Sequence, residues 1–444
     1  MKWLEPGRLF IGMALLFGGL FVGITPPFQS PDEPNHFLRA YQISEGRFFP
    51  EKIAEQRLGG YLPASLLAVA DSFAYLKNNY AARLQPGLIQ RTATLSLLPE
   101  QRVFLDFANT AVYAPTGYLP QAVAIALLRP LGTGPLVLLY AARLANLLIW
   151  ILLIAATLRT LPALHRPIAA LAMLPASLAV AASANADVLT NGLCFWLIAI
   201  FCQPVVRGKL WPIAAFMAVC AAKVVTWPLG LLYGLQPKNR RHFGALLALG
   251  LVAAAGWGGL AQNWFIPYDA YAPHYRDTQT LNEGVQPMAQ LHFIATQPVD
   301  FLRITGHSYA RALPSTLAHF VGKFGWEKNY LPTGWLVGLW IALLSVICCE
   351  SSSWTRRQRG LAALVAVLFI GLFSITMYAL WCPVGARELT DLQGRYFVPI
   401  APVLALALSN RWLANYSRFI WPMAVGLLFL GNAAMAWAML GRWW

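Results

Sequence analysis

Charged residues are scarce in this sequence: Asp, Glu, Lys and Arg make up 11% of its 444 residues, against roughly 25% in an ordinary soluble domain. Hydrophobic residues make up 58% and occur in long runs between short polar segments. This composition excludes soluble enzymes, collagens, disordered regions and disulfide scaffolds. It predicts an all-α polytopic membrane protein that forms a single integral membrane domain over residues 1–444.

Motifs for nucleotide and metal binding are missing too. The chain has neither a G-x-x-x-x-G-K-[ST] phosphate loop nor a strand-linked G-x-G-x-x-G, and it has no HExxH or paired-cysteine metal site. The six cysteines lie in or beside apolar segments, so we expect reduced core residues. The net charge of +15 sits in short clusters between apolar runs, which indicates membrane topology and contact with anionic lipid or phosphate rather than nucleic acid.

Positive clusters predict the topology, because cytoplasmic loops are rich in Lys and Arg and an even number of crossings must separate neighbouring clusters. The clusters are Lys2 with Arg8; Arg159 with Arg166; Arg207 with Lys209; Lys238, Arg240 and Arg241; Arg356, Arg357 and Arg359; and Arg411 with Arg418. This parity predicts about 11 transmembrane helices, which lie near residues 9–25, 135–158, 167–185, 188–203, 210–235 as two short helices, 244–264, 333–350, 360–381, 396–409 and 419–441. The first apolar stretch resembles a signal peptide without a cleavage site, and we expect it to remain as a span.

Three segments are expected to face outward. They are residues 26–134, which include a juxtamembrane helix near residues 111–129, and residues 267–332 and 382–395. The two short helices of residues 210–235 leave a cavity in the outer part of the membrane, because each half reaches only about 18–20 Å at about 1.5 Å per residue. Long polar loops on one side of a membrane usually carry function.

The first outer segment opens with two adjacent acids, Asp32 and Glu33, directly after the first span. A helix over residues 32–44 would place Asp32, His36 and Arg39 on one face. A carboxylate, an imidazole and a guanidinium at the lipid boundary can take a proton, orient a partner and bind an anion, respectively. This loop is therefore the first candidate for chemistry.

Three further signals lie in other parts of the chain. Asp187 follows a tight outer turn and precedes Asn191 by about one helical turn. Lys223 lies at the apex of the two short helices, where an ammonium needs a wet cavity or an anion. Residues 391–397 place Arg395 at the outer start of a span, where its guanidinium can bind phosphate through two hydrogen bonds. We expect these groups and Asp32 to meet in one outward-facing pocket.

Each signal also has a structural alternative. Ser30 and Glu33 have the spacing of a capping box, and Asp187 has the position of a helix N-cap. Lys223 is also placed to extend along the helix toward the membrane surface, and Arg395 is also placed to anchor a span beside interfacial aromatic residues.

The motifs resemble those of a bacterial membrane family known as domain of unknown function 2142. Residues 27–37 read PFQSPDEPNHF and are followed by Arg39 and the run AYQ, residues 181–191 run from AAS to DVLTN, and residues 393–397 read QGRYF. Their order and spacing fit the family over nearly the whole chain. That family is in turn similar to the GT-C glycosyltransferases, which use polyprenyl-phosphate sugars on the extracytoplasmic side.

The resemblance implies roles for single residues. Asp32 or Glu33 matches the hallmark acid of the first outer loop and is assigned as the catalytic base, Asp32 first and Glu33 as its substitute. Asp187 matches a second acid, which helps to hold the acceptor, the donor sugar or a divalent ion. Lys223, which precedes Pro228 by five positions, is similar to a lysine near the short middle helices of some relatives. Substrate-binding roles are assigned to His36, Arg39, Asp187, Lys223, Gln393, Arg395 and Tyr396.

The function expected from these observations is that of a GT-C-like inverting glycosyltransferase of the bacterial inner membrane. It would transfer a sugar from a polyprenyl-phosphate carrier to an envelope glycan or lipid acceptor on the periplasmic side. A divalent cation is the only cofactor considered. Two alternatives stay open: a transporter or flippase for lipid-linked sugars, and a polymerase or ligase of O-antigen type that uses a polyprenyl-diphosphate donor.

Overall fold

The computed structural model describes residues 5–54, 56–203, 210–235, 240–267, 270–271, 284–326, 328–350, 354–410 and 412–444. Several residues of the positive clusters lie outside the described residues: Lys2, Arg207, Lys209, Lys238 and Arg411. The described chain is mostly helical. The helices are α1 (Pro6–Ile24), α2 (Glu33–Ser44), α3 (Ala64–Ala74), α4 (Leu88–Ala93), α5 (Ala108–Ala111), α6 (Leu119–Leu128), α7 (Pro135–Thr160), α8 (His165–Ala172), α9 (Pro175–Ala181), α10 (Asp187–Phe201), α11 (Leu210–Ala222), α12 (Arg240–Ala261), α13 (Pro287–Thr296), α14 (Pro298–Gly322), α15 (Thr333–Cys348), α16 (Arg356–Trp381), α17 (Ala401–Leu408) and α18 (Ser417–Trp443).

Five helices are long and apolar enough to cross a membrane, namely α1, α7, α12, α16 and the helix that contains α18. They coincide with five predicted spans, and the predicted all-α membrane fold is confirmed. Local sequence explains their starts: α7 begins with Pro135 in its first turn, and α16 begins in a capping box between Thr355 and Gln358.

The other predicted spans are shorter or bent. Span 167–185 is the pair α8 and α9, which meet at 77°. Pro175 explains the break, since it lacks an N–H group and holds Leu174 in an extended conformation. Helix α10 has 15 residues, which is about 22 Å at 1.5 Å per residue and less than a membrane core of about 30 Å.

The run 210–235 is divided as predicted. Helix α11 ends at Ala222, and a 3₁₀ segment, Val224–Leu235, follows Lys223. Two more apolar segments, α15 and the continuous run Gly394–Leu408, match the predicted spans 333–350 and 396–409. The total of 11 crossings remains a prediction.

Residues 26–134, the first segment predicted to face outward and called the outer segment below, contain a small sheet that the sequence did not predict. Strands β1 (Glu51–Ala54), β2 (Arg57–Pro63) and β3 (Arg102–Asp106) form an antiparallel sheet in the order β1-β2-β3. Gly59 pairs with Asp106. A side chain at Gly59 would overlap the backbone of Leu105, so only glycine allows the strands to approach this closely.

The predicted juxtamembrane segment 111–129 is helical over most of its length. A 3₁₀ turn, Pro115–Tyr118, leads into α6. The exposed side chains of α6 include Leu119, Val123 and Leu127, which recur every four residues and therefore form one apolar stripe. Such a stripe is typical of a helix that lies against lipid.

Two apolar cores meet along α7. Residues 136–142 of this helix contribute side chains to the core of the outer segment, whereas Leu147, Trp150 and Ile154 belong to the core of the apolar helices. The turn before α10 lies at the same boundary, since Ala184 and Ala186 belong to the first core and Val188 to the second. The polar groups described next lie at this boundary.

Candidate active site

Four predicted residues converge at the boundary between the two cores and form two ion pairs. The guanidinium Nη2 of Arg395 lies 3.0 Å from Oδ2 of Asp32. The ammonium Nζ of Lys223 lies 2.6 Å from Oδ1 of Asp187. The four residues come from the starts of α2 and α10, the junction after α11, and the 3₁₀ segment Gly394–Ile400.

Local backbone geometry leaves Asp32 available for this contact. Asp32 precedes α2 with φ at 61° and makes no capping hydrogen bond with its side chain. Aspartate tolerates this left-handed conformation better than most residues. The capping-box alternative for Ser30 and Glu33 is wrong, because α2 begins at Glu33 and the Glu33 carboxylate binds Arg143. The carboxylate of Asp32 contacts Arg395 and, at 3.4 Å, the amide nitrogen of Asn109.

Asp187 is likewise not required as a cap. The side-chain oxygen of Asn185 accepts a hydrogen bond of 2.8 Å from the backbone N–H of Asp187. Asp187 itself is the first residue of α10, where a negative charge is favoured by the helix dipole. Its carboxylate is therefore directed to Lys223.

The charges around Asp32 keep it ionised. Burial alone would raise the pKa of the Asp32 carboxyl, but the charge of Arg395, the nearby His36 and the hydrogen bond from Arg395 together lower the pKa below its usual value. The opposite holds for Asp391, whose pKa is raised mainly by burial. Asp32 is thus a carboxylate at neutral pH.

His36 lies within the electrostatic reach of both ion pairs. Burial lowers its pKa to about 4, against the opposing effect of Asp32 and Asp187. Its Nδ1 atom is 2.8 Å from the hydroxyl of Tyr118. His36 is therefore neutral at neutral pH and is held by its neighbour on the 3₁₀ turn before α6.

A cavity of about 850 Å³ adjoins the two ion pairs, and its walls include Asp187, Arg395, Asn191, Gln393 and His319. Several buried polar atoms of its lining residues have no hydrogen-bond partner in the described part of the chain. They are Nε of Arg395, Oδ1 of Asn191, Oε1 of Gln393, Nδ1 of His319 and Nε1 of Trp150. Buried polar groups normally have partners, so this concentration indicates a cavity that receives a polar ligand.

One aromatic residue, Tyr396, and one amide, Gln393, lie near the two ion pairs. The ring of Tyr396 lies 5.9 Å from Nζ of Lys223 and 5.3 Å from the guanidinium carbon of Arg395. The side-chain nitrogen of Gln393 donates to Asp391 at 2.5 Å. Tyr396 therefore lies near both cations, and Gln393 lines the cavity. Their predicted roles in substrate binding stay predictions.

Glu33 and Arg39 lie away from this cavity. The carboxylate of Glu33 forms a bidentate ion pair with Arg143, at 2.8 and 2.6 Å, and neither side chain is exposed. Arg39 is buried and donates to Gln42 and to the carbonyl oxygens of Phe48 and Tyr113. The geometry therefore favours structural roles for both, and it favours Asp32 over Glu33 as the reactive acid.

Sequence reasoning missed Arg143 and Asn146, which organise the site from α7. Besides Glu33, the guanidinium of Arg143 binds the carbonyl oxygens of Val22, Thr25 and Pro26. Asn146 donates to the carbonyl oxygens of residues 183 and 185. An arginine in the middle of an apolar run was the signal, because an ionised group at that depth needs buried partners.

The motifs match a known family. A family model described as a predicted membrane protein (DUF2142) matches residues 15–404. The chain belongs to the DUF2142 family. Each of the three motifs that carried the resemblance supplies one residue to the cluster of this DUF2142 protein: Asp32, Asp187 and Arg395.

Other comparisons add less. None of the curated proteins matches the chain. Among solved structures, ArnT from Cupriavidus metallidurans bound to undecaprenyl phosphate is similar, with 14% sequence identity and a TM-score of 0.42. The similarity covers 98% of this chain and 77% of that chain.

The divalent cation stays a prediction for this DUF2142 chain. Within the described ranges, no group of three or more His, Cys, Asp or Glu side chains is arranged to hold a metal ion. Asp32 and Asp187 are each matched by a cationic side chain. A divalent ion would therefore have to displace Arg395 or Lys223 from its carboxylate.

Proposed function

We propose that this membrane protein is a GT-C-like inverting glycosyltransferase that transfers a sugar from a polyprenyl-phosphate carrier to an extracytoplasmic glycan or lipid. One observation carries the proposal: the pairs Asp32–Arg395 and Asp187–Lys223 converge at a cavity with unpartnered polar walls.

The cations supply a place for the phosphate leaving group. Nε of Arg395 has no partner among the residues that the structure describes, while Nη2 binds Asp32, so the guanidinium retains donors for a phosphate oxygen. Lys223 also lies near the Tyr396 ring, 5.9 Å from its centre, and adds a second positive charge. Preorganised cations stabilise the charge that develops on a departing phosphate.

Asp32 is the general base of the proposed reaction. The acceptor hydroxyl oxygen forms a bond to the anomeric carbon as the bond from that carbon to the phosphate oxygen breaks. The hydroxyl proton passes to Asp32, and the phosphate keeps the electron pair. Attack opposite to the leaving group inverts the anomeric centre. Asp187 helps to hold the acceptor, the donor sugar or a divalent ion.

The decisive experiment compares Asp32→Asn with the wild type on purified protein supplied with polyprenyl-phosphate sugars and a mixture of envelope glycans. We expect transfer to fall by about 10²–10⁴-fold, since a general base contributes about that much. Thermal stability should stay near that of the wild type, because the Asp32 side chain is 32% exposed. Release of free polyprenyl phosphate is the readout.

Asp300→Asn is the matched control, because Asp300 is an exposed acid of the same charge on α14. This variant should keep full activity. Full activity in Asp32→Asn would reject the assignment of the base. Translocation of lipid-linked sugar across vesicles without a glycosidic product would favour the flippase, and consumption of a polyprenyl-diphosphate donor alone would favour the polymerase or ligase.

A further inference from the structure

A second cavity of about 330 Å³ lies beside Asn109, whose amide contacts Asp32. Its walls combine amides, one acid and two aromatic rings. The residues that define it are Asn35, Gln56, Asp106, Asn109, Phe107 and Tyr271. We call it the amide pocket. None of the sequence motifs predicted it, since it forms where the end of β3 and the start of α5 meet α2.

The amide pocket is connected to Asp32 by hydrogen bonds. Asn35 lies one turn after Asp32 on α2, and its amide nitrogen donates to Oδ1 of Asn109 at 2.6 Å. The amide nitrogen of Asn109 in turn lies 3.4 Å from Oδ1 of Asp32. Arg395 contacts the other oxygen, Oδ2, at 3.0 Å. The two oxygens of one carboxylate thus contact residues of two different cavities, Asn109 of the amide pocket and Arg395 of the larger one.

The two cavities differ in charge. Lys323 and Arg395 line the larger one, which suits a phosphate. In the amide pocket, the acid is neutralised, because Oδ2 of Asp106 accepts bonds from Arg57 at 2.8 and 3.0 Å. The other polar side chains of its lining are three uncharged amides and the hydroxyl of Tyr271. This lining suits a neutral ligand with several hydroxyl groups.

One buried atom of the pocket lacks a partner. Oδ1 of Asp106 has no hydrogen bond within the described residues, although its side chain is only 4% exposed. A buried carboxylate oxygen normally has a donor. A ligand hydroxyl would supply one, while the rings of Phe107 and Tyr271 provide apolar faces of the kind that contact sugar rings.

We propose that the amide pocket is the acceptor subsite and binds a single uncharged sugar ring or similar polyol, held next to the Asn109 amide that contacts Oδ1 of Asp32. The inference rests on the proposed function, because it assigns the partner of the base.

The test is equilibrium binding to the purified full-length chain without any donor, using saturation-transfer NMR with uncharged methyl glycosides of several hexoses and pentoses. Two variants alter the pocket in different ways: Asn109→Ala removes an amide, and Ala108→Val narrows the space at a residue that lines it. Asn79→Ala is the matched control, since Asn79 is an exposed amide of the same outer segment.

We expect at least one glycoside to bind the wild type and the control equally, and to bind at least tenfold more weakly to both pocket variants. The affinity for polyprenyl phosphate should be the same in all four proteins. Three results would overturn the proposal: no glycoside binds the wild type, binding is equal in the pocket variants, or polyprenyl phosphate displaces the glycoside. Because no donor is present, glycoside binding can succeed even where sugar transfer fails, so the two proposals are tested separately.

Discussion

Asp32 and Glu33 are adjacent in the sequence but lie in opposite environments. The Asp32 side chain is 32% exposed and faces Arg395, whereas Glu33 and Arg143 are fully enclosed. The exposed part of the Asp32 side chain leaves room for a further contact beside Arg395, as its proposed role as a base requires. The bidentate contact of Glu33, with a further hydrogen bond from the backbone N–H of Ala184 at 2.9 Å, makes it a structural anchor.

Glu33→Gln should destabilise the protein rather than affect chemistry selectively. The change leaves the Arg143 guanidinium buried without a counter-charge, and removal of one partner from a buried ion pair costs about 3–5 kcal/mol. Thermal unfolding in detergent measures the loss. Glu388→Gln is the control, because Glu388 is half exposed in its pair with Arg311 and its loss should cost less than about 1 kcal/mol. Equal stability of the two variants would contradict the anchoring role.

His36 should make stability depend on pH. Its pKa is about 4 in the folded protein and 6.5 as the ordinary value, so the unfolded chain binds more protons between these pH values. Stability should therefore fall as the pH is lowered from 6.5 to 4, by up to about 3 kcal/mol from this group. We expect His36→Gln to show a shallower decline of unfolding temperature in that window. The same slope in both proteins would show that His36 is not held neutral.

Among the elements, α7 sets the distance between the two candidate acids, Asp32 and Asp187. Its Arg143 binds the segment that carries Asp32, and its Asn146 binds the turn that carries Asp187. These two residues are three positions apart and therefore share one face of the helix. A rigid helix thus fixes both acids relative to each other. The 3₁₀ segment Gly394–Ile400, which carries Arg395, is fixed differently, by close packing on α14.

Gly394→Ala should disturb that packing. A Cβ atom at this position would overlap backbone atoms of Thr316 and Phe320, so α14 or the segment with Arg395 must move. We expect a loss of about 1–3 kcal/mol in unfolding free energy, as for other overpacked positions, and a decrease in transfer activity. Gly426→Ala is the control, because an added Cβ there meets no atom within 4 Å. Unchanged activity in Gly394→Ala would show that Arg395 needs no such fixed position.

At the scale of the whole molecule, the candidate site lies where two apolar cores meet. One core belongs to the outer segment, with its sheet and α2, and the other to the apolar helices. Ion pairs between these parts therefore join the outer segment to the helices, and their charges lie near the end of the apolar zone. The proposed function requires this placement, because a water-borne acceptor and a lipid-anchored donor must both reach the same carboxylate.

The proposed orientation predicts which surfaces react with a membrane-impermeant maleimide. Thr94→Cys, on the exposed outer segment, should be labelled in intact spheroplasts. Arg357→Cys, in a positive cluster at the start of α16, should be labelled only after the membrane is permeabilised. The wild type gives the background, since its described cysteines are buried apart from Cys348, which is half-buried. The reverse pattern would place the candidate site on the cytoplasmic side.

The sequence by itself determined the membrane class, the positions of the apolar helices and the division at Lys223. These features depend on hydrophobicity, charge and helix geometry over about 20 neighbouring residues. It also singled out Asp32, Asp187, Lys223 and Arg395, because ionisable residues stand out in an apolar chain.

Only the tertiary structure showed that Glu33 pairs with Arg143 and Asp32 with Arg395, and that Arg39 does not line the cavity. The contacts of Arg143 and the small sheet are likewise visible only there. Glu33 is 110 positions from Arg143, and Asp32 is 363 positions from Arg395. The residues next to a carboxylate in the sequence do not indicate which distant charged residue it will contact in the folded protein. That choice depends on how the helices pack, and packing encloses Glu33 with Arg143 while it leaves Asp32 partly exposed beside Arg395.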